Sequence, residues 1–176
     1  PSANISTRLS AVQASDVKEE FGSKVKYTLD GGKCSIGLES TIVGLINGTQ
    51  ILRLGGIEIK KINKVLKTNL KYKPKNKILN VPGQFKTHYS PGIPIRMNAN
   101  TPRPGEAFIL IKKRKSSDKN FYYLSKKNNL KEAAKNLYKT LRMIKNKKFK
   151  KIAIEKIPNI GFGEAINDRI SRASKV

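Results

Sequence analysis

The chain has 176 residues, enough for one domain or two small ones, and its hydrophobic content of 38% allows a core. No apolar run approaches the ~20 residues of a membrane-spanning helix. The only cysteine is Cys34, which excludes an internal disulfide. These features favour a globular protein of the reducing cytoplasm, without a membrane association.

The net charge of +25 leaves two interpretations open. Clustered lysines and arginines attract nucleic-acid phosphates. Here the lysines are spread along the chain, with local runs at 112–115 and 147–151, and no familiar RNA- or DNA-binding motif accompanies them. We favour a solvated basic surface, and functional RNA contact is the alternative.

The first elements are predicted from capping and periodicity. Ser10 and Gln13 have capping-box spacing, and apolar residues on one face continue the pattern, which predicts a helix over 10–21. Alternating apolar and polar residues predict a strand over 25–29, closed by a Gly-Gly turn.

A hairpin and a helix follow. Residues 39–46 are rich in β-formers and predict a strand. Asn47-Gly48 is a strong hairpin signal, and it returns the chain as a second strand over 50–54. Apolar residues at 3.6-residue spacing then predict a helix over 59–66.

From residue 71 to 104, prolines interrupt every candidate element. They predict a long linker that is extended and ordered in parts. A loop of this length without secondary structure is uncommon unless it is functional or disordered. The pattern itself leaves both a bare spacer and a functional segment open.

The last segment alternates strands and helices. The sequence predicts strands over 107–111, 121–124 and 152–155, and helices over 130–144 and after Gly161-Phe162-Gly163. This order predicts a small, mostly parallel, Rossmann-like domain. Two glycines alone are weak support for a phosphate loop, so we interpret Gly161 and Gly163 as a helix-capping turn.

The residues by themselves suggest binding more than catalysis. His88 is the only histidine, and neither a nucleophile elbow nor a convincing metal cluster is visible. Hydroxyls near element ends suit phosphate or carboxylate binding, as at Ser2, Ser10 and Ser40. Arg53 precedes a Gly-Gly pair and has the planar fork that phosphates favour. Taken singly, each serine is better explained as a cap or turn residue.

An ordered set of motifs runs through the whole chain. It consists of Pro1-Ser2-Ala3-Asn4, Asp30-Gly31-Gly32, Gly37-Leu38-Glu39-Ser40-Thr41, Leu52-Arg53, His88-Tyr89-Ser90-Pro91, and a final Gly161, Gly163, Ala165, Asp168 and Arg169. In this order the motifs resemble the threonylcarbamoyl-AMP synthases, the two-domain branch of the YrdC-like family. Each motif is modest by itself, but the ordered set is specific.

The resemblance implies an α/β fold in three parts. Residues 1–70 would form the C-terminal half of a YrdC-like twisted mixed sheet with helices, and 71–104 a Pro-rich linker that acts as a lid. Residues 105–176 would form the small Rossmann-like α/β domain. Because the chain opens within the family's nucleotide site, the resemblance also implies that the N-terminal half of the YrdC-like domain is missing.

The resemblance also implies a reaction, carried out by a nucleotidyltransferase. L-Threonine, bicarbonate or CO2, and ATP would yield threonylcarbamoyl-AMP and pyrophosphate, normally with Mg2+, for threonylcarbamoyladenosine modification of tRNA. Further partners would be a separate N-terminal half and a transient contact with tRNA or the transferase complex. We expect this chain alone to be inactive, and the alternative is a basic RNA- or tRNA-binding remnant without catalysis.

The family's binding roles fall on five residues. ATP would be bound by Ser2, Ser10, Arg53 and Tyr89, and L-threonine by Ser40. Tyr89 would reach back from the linker and close the nucleotide site. No catalytic residue and no metal ligand is assigned, and the neighbouring histidine receives no role.

Three residues depart from the family pattern near the expected ATP site. Thr7 stands for a usual glycine, Leu54 for the proline after the arginine, and Gln84 for a methionine. These changes put the loop geometry in question but leave the polar groups of the other motifs in place.

Overall fold

The structure is a computed structural model that describes residues 3–46, 48–73, 81–83, 88–114 and 118–175. Its helices are α1 (Ala14–Phe21), α2 (Ile59–Leu66), α3 (Leu130–Asn146) and α4 (Phe162–Ala173). Its strands are β1 (Ile42–Gly44), β2 (Gln50–Arg53), β3 (Ile95–Arg96), β4 (Glu106–Leu110), β5 (Phe121–Tyr123) and β6 (Lys151–Ile154). Within these ranges, no helix has the length and apolar character needed to cross a bilayer. The α/β class predicted from the sequence is confirmed.

A four-stranded sheet in the order β3-β6-β4-β5 organises the C-terminal region. All its pairings are parallel, with Ala107 opposite Ile152 and Phe108 opposite Phe121 in register. Every residue of β4 is buried, as a central strand of a parallel sheet requires. Successive side chains alternate between the two faces, so Ile109 joins the main core while Phe108 joins a smaller cluster.

Helices α3 and α4 contact each other and supply the other half of the main core. Leu137 and Ile144 of α3 and Ile166 of α4 are fully buried in it. Three buried residues from before β3, Leu9, Tyr89 and Ile93, belong to the same cluster. The segment before α1 is therefore anchored in the core that the C-terminal sheet and helices build.

The N-terminal region contains a two-stranded hairpin and a small hydrophobic cluster. β1 and β2 form an antiparallel hairpin with Val43 opposite Ile51, which confirms the predicted hairpin, although Asn47 lies outside the described residues. A small cluster joins Ile51 and Leu54 to Ala165 of α4. The hairpin and α2 thus pack partly on a helix from the far end of the chain.

Several predicted elements differ from those in the structure. The strand predicted over 25–29 does not form, since this segment pairs with no other strand in the described part of the chain, and Leu29 is 96% exposed. The helix predicted from Ser10 begins at Ala14, because the Asp16 carboxylate accepts from the Val12 amide and organises the first turn. The strand predicted over 39–46 shortens to β1.

The interval predicted as a linker contributes to the sheet. β3 lies within 71–104 and pairs with β6 as an edge strand of the sheet. Just before β3, the Pro94 carbonyl accepts from the Ile152 amide of β6. The domain boundaries at 70 and 104, the lid and the Rossmann-like description of the last domain stay predictions. The Gly161 turn is as interpreted, since Gly161 is the N-cap of α4, with φ of 52°.

Candidate active site

An open cavity of about 520 Å3 lies between the end of the hairpin, the start of α1 and the loop over 28–34. Its wall includes three of the predicted site residues, Ser10, Ser40 and Arg53, together with Pro82 and Tyr138. Its volume is in the range of small-molecule binding sites. The fold therefore brings together residues that the sequence separates by more than forty positions.

Arg53 and Ser40 form one polar unit in this wall. The guanidinium Nη2 lies 2.9 Å from the Ser40 carbonyl oxygen and 3.1 Å from its hydroxyl, and Nε donates to the same carbonyl at 3.1 Å. Nη1 donates to the Pro82 carbonyl at 3.1 Å. Arg53 sits at the end of β2, and these bonds fix its charge beside the Ser40 hydroxyl.

Ser10 faces a carboxylate. Its hydroxyl donates to Glu39 Oε1 at 2.5 Å, and the Tyr138 hydroxyl lies 3.0 Å from the same oxygen. Burial alone would raise the pKa of Glu39, but the Arg169 charge and the Ser10 hydrogen bond outweigh it and hold the pKa below its ordinary value. Ser10 thus supports the loop that carries Ser40, and it is not the helix cap that the sequence predicts.

Tyr89 lies beneath the site, outside the residues that line the cavity. It is 1% exposed, its backbone has φ of 61°, and its ring stacks on Tyr138 with centroids 5.9 Å apart. The Arg169 guanidinium lies 4.7 Å from the Tyr89 ring centroid. The Tyr89 hydroxyl finds no hydrogen-bond partner among the described residues, and burial raises the pKa of Tyr89. Gly83 packs against the Tyr89 hydroxyl, since a Cβ on Gly83 would collide with it.

The remaining predicted positions fall in different places. Ser2 and Gln84 lie outside the described residues. Thr7 has φ of 69°, a backbone conformation natural to the glycine that the family pattern expects. Leu54 is buried in the cluster with Ala165. Burial lowers the pKa of His88, whose Nδ1 accepts from the Tyr89 amide.

Three residues of this site received no role from the sequence: Glu39, Tyr138 and Arg169. Glu39 and Arg169 do stand in the motifs that carry the family resemblance, which is the only signal that pointed to them. Nothing in the spacing pairs positions 130 residues apart. Only the fold brings them within 3.0 Å of each other.

Two family models match this chain. Residues 57–175 match the Sua5 C-terminal model, described as the C-terminal domain of threonylcarbamoyl-AMP synthase. The chain belongs to the threonylcarbamoyl-AMP synthase family. Residues 1–55 match the Sua5/YciO/YrdC model, described as telomere recombination. Together the two models confirm the resemblance over nearly the whole chain.

Curated members of the threonylcarbamoyl-AMP synthase family align with 57% to 99% of the chain. The Pyrococcus abyssi enzyme is 28% identical over 99% of this chain and 56% of its own length. The Bacillus subtilis enzyme is 27% identical with the same coverage. The Schizosaccharomyces pombe enzyme is 36% identical over 57% of this chain and 27% of its own length. The chain thus spans about half the length of the first of these relatives.

Solved structures of the P. abyssi family member share the fold. The crystal structure of P. abyssi Sua5 complexed with L-threonine superposes with a TM-score of 0.82 at 28% identity, covering 99% of this chain and 56% of that one. A variant of the same protein, with a histidine and the tyrosine after it changed to alanine, superposes with a TM-score of 0.79 at 27% identity.

Proposed function

We propose that the chain carries the part of a threonylcarbamoyl-AMP synthase site that binds L-threonine and the phosphates of ATP. The observation that carries this proposal is the Ser40–Arg53 unit in the cavity wall. The L-threonine complex of the P. abyssi relative supports the choice of substrate. The family name supports the product, an adenylated threonylcarbamoyl group used in tRNA modification.

The reaction needs little covalent chemistry from the protein. The threonine amine combines with CO2, releasing a proton, or with bicarbonate, releasing water, to give a carbamate. A carbamate oxygen then attacks the α-phosphorus of ATP. The bond to the β-phosphate oxygen breaks, and pyrophosphate leaves. Positioning of the reactants and stabilisation of charge on the phosphates then dominate catalysis.

The roles follow the chemistry of each group. The Ser40 hydroxyl hydrogen-bonds threonine, while the Arg53 fork, one residue before Leu54, holds phosphate oxygens. Ser10 and Tyr89 complete the ATP side, with the Tyr89 hydroxyl buried beneath the cavity and without a hydrogen-bond partner among the described residues. This chain's one histidine is followed by Tyr89, so these two residues are the counterpart we propose for the pair altered in the P. abyssi variant.

Mg2+ enters this proposal only as part of the ATP substrate. Among the described residues, no group of three histidine, cysteine or acidic side chains could hold a metal ion. The Glu39 carboxylate, which lines the cavity, is already engaged by Ser10, Tyr138 and Arg169. Mg2+ is commonly held by substrate phosphates and water with few protein ligands. We therefore assign no protein residue to it.

Titration of the chain with L-threonine, followed by ligand-observed NMR, tests the proposal. We expect binding by the chain itself and by Ser23→Ala, a control in the exposed turn after α1. Ser40→Ala should weaken binding about two- to tenfold, the value of one hydrogen bond. Absence of L-threonine binding by the folded chain, or equal binding by Ser40→Ala, would contradict the threonine assignment.

Enzymatic turnover needs a separate assay, because the chain spans only part of its relatives. We propose that the chain alone does not turn over, and that threonine- and bicarbonate-dependent release of pyrophosphate from ATP requires a separately supplied polypeptide. That polypeptide would correspond to the remainder of a relative such as the P. abyssi enzyme. Robust pyrophosphate release by the chain alone would contradict this part of the proposal.

RNA contact is a second candidate function, favoured by one specific feature. Lys131, Lys135 and Lys139 recur every four residues along α3, and all three are exposed. These lysines lie on one face of the helix, and their positive charge is complementary to the negative charge of a phosphate backbone. Binding of tRNA that weakens steeply with salt, and that falls when all three lysines become glutamine, would support it. Salt-independent or absent tRNA binding would exclude it.

A further inference from the structure

We propose that Arg169 of α4 is a positioning residue, through which the C-terminal helix pair sets the geometry of the substrate site. Arg169 lines no part of the cavity and touches no proposed ligand. The inference deepens the proposed function, on which it rests for the identity of the site. Its structural claim concerns only the order of the loops that carry the site residues.

The Arg169 guanidinium is 1% exposed and contacts three separate segments of the site. Nε donates to Glu39 Oε2 at 3.0 Å, and Nη2 donates to the Leu54 carbonyl at 2.7 Å. The face of the guanidinium lies over the Tyr89 ring. The neighbouring Asp168 accepts from Nη1 at 2.7 Å and fixes the fork from the α4 side.

Each of these contacts adjoins a proposed ligand-binding residue. Glu39 immediately precedes Ser40, Leu54 immediately follows Arg53, and Tyr89 is itself a proposed ATP residue. Ser10 is reached through its hydrogen bond to Glu39. One buried side chain is therefore linked to all four site residues that the structure describes: it touches Tyr89, it contacts the chain neighbours of Ser40 and Arg53, and it reaches Ser10 through Glu39.

The Glu39 side of the contact is equally constrained. Its carboxylate accepts from the Ser10 and Tyr138 hydroxyls as well as from Arg169, so its two oxygens are held by three elements. The backbone next to it is fixed by packing, because a Cβ on Gly55 would collide with the backbone of residues 39–41. Rotation of the Glu39 side chain would break several bonds at once, so Glu39 couples the position of the Ser40 loop to that of Arg169.

A lysine cannot replace this arrangement. Its ammonium is a single point donor group, whereas the planar fork of arginine reaches Glu39 and the Leu54 carbonyl on different edges while its face covers a ring. Arg169→Lys keeps the positive charge and removes the planar fork that reaches Glu39 and the Leu54 carbonyl together. It is therefore the substitution that separates positioning from simple charge neutralisation.

Arg142 of α3 provides a matched control. It is also buried, with 6% of its side chain exposed, and it also bridges to the N-terminal region, through Glu20 and Asp16. Its one bond near the site reaches the Leu9 carbonyl, at 3.3 Å. No hydrogen bond or ion pair in the structure joins it to residues 38–41, 53–56 or 88–92, so Arg142→Lys reports what a general weakening of the same junction does.

Hydrogen exchange measured by mass spectrometry on the chain tests the proposal without any ligand. In Arg169→Lys, exchange should rise at least tenfold in peptides over 38–41, 53–56 and 88–92, while β4 and α3 stay within threefold of the unaltered chain. Arg142→Lys should leave those three peptides within threefold. Glu39→Gln, which keeps the side-chain shape, should reproduce the Arg169→Lys pattern in the first peptide.

Two results would overturn the proposal: a uniform rise in Arg169→Lys, or a rise confined to α4. L-Threonine titration of the same variants adds the functional readout, with at least a fivefold loss of affinity expected in Arg169→Lys and less than twofold in Arg142→Lys. Equal losses in both variants would reduce Arg169 to a general structural residue. If the unaltered chain binds no threonine, the proposed function fails while the exchange pattern still decides the positioning role.

Discussion

The two regions of the molecule bury their hydrophobic residues to very different extents. In the region over 95–175, a parallel sheet is covered by α3 and α4, and Met143 and Ile160 are the only large exposed hydrophobic residues among those that the structure describes there. The described residues over 3–73 contribute only Leu9, Ile51 and Leu54 to the buried hydrophobic set. The same region exposes nine large hydrophobic residues, among them Leu29 and Leu45.

The difference shows where the order of the candidate site comes from. The C-terminal region builds its core from its own strands and helices, whereas the N-terminal region packs onto them. Gly37, with φ of 76°, lies so close to the α3 backbone that a Cβ would stand 2.5 Å from the Lys135 carbonyl oxygen. Arg142 and Arg169 add buried ion pairs across the same junction. The cavity therefore depends on a region that supplies only Tyr138 to its lining.

The largest expected effect contrasts truncations in the two regions. Leu137→Ala removes a fully buried side chain of α3 and should cost about 2–5 kcal/mol of unfolding free energy. Leu45→Ala, at a side chain that is 75% exposed, should change stability by less than about 0.5 kcal/mol. Urea denaturation measures both values. A costly Leu45→Ala would show that the N-terminal region holds a core of its own.

A smaller effect is expected where the regions meet through Tyr138. Tyr138→Phe keeps the stacking on Tyr89 and removes the hydrogen bond to the buried Glu39 carboxylate. The loss should be about 1.5–3 kcal/mol, as for hydrogen bonds to charged groups. The unfolding free energies of Tyr138→Phe, Glu39→Gln and the double variant, measured by denaturation, complete a double-mutant cycle. Strictly additive losses would mean that the two side chains do not interact.

Acid should weaken the junction through Glu39. The pKa of Glu39 in the folded chain lies below the ordinary value of 4.5. At pH values between these two pKa values, the unfolded chain therefore binds more protons than the folded chain. The resulting stabilisation is fully present above about pH 4.5 and is lost as the pH falls through the folded-state value. Stability measured from pH 6 to pH 3 should fall less steeply for Glu39→Gln. Identical slopes would remove Glu39 from the acid response.

The smallest expected effect is a gain. Thr7 adopts a left-handed backbone at φ of 69°, which costs about 1–3 kcal/mol for a residue with a β-branched side chain. Thr7→Gly removes that strain but loses about 0.5–1 kcal/mol of chain entropy, so the central values leave a net gain of about 1 kcal/mol. Thr49→Gly, at an exposed threonine without a positive φ, should be destabilising. A loss at both positions would refute the strain at Thr7.

The sequence determined the elements whose signals are local. The α2 and α3 helices follow from apolar periodicity, the β1–β2 hairpin from its Asn-Gly turn, and the buried strands β4 and β6 from short apolar runs. The ordered motifs also determined the family, because their residue types and order survive even where each single motif is weak. The helices, hairpin and strands depend on neighbours a few residues apart, and the family depends on residue types in order along the chain, so the sequence itself contains both signals.

Tertiary structure decided the features that depend on distant partners. Residues 25–29 alternate like a strand, yet a strand requires a paired neighbour, and the described part of the chain offers them none. Ser10 has the spacing of a helix cap, yet a carboxylate 29 positions away provides a stronger, charged acceptor for its hydroxyl. The Arg169–Glu39 contact joins residues 130 positions apart, since burying one charge requires the fold to bring its counter-charge to the same place.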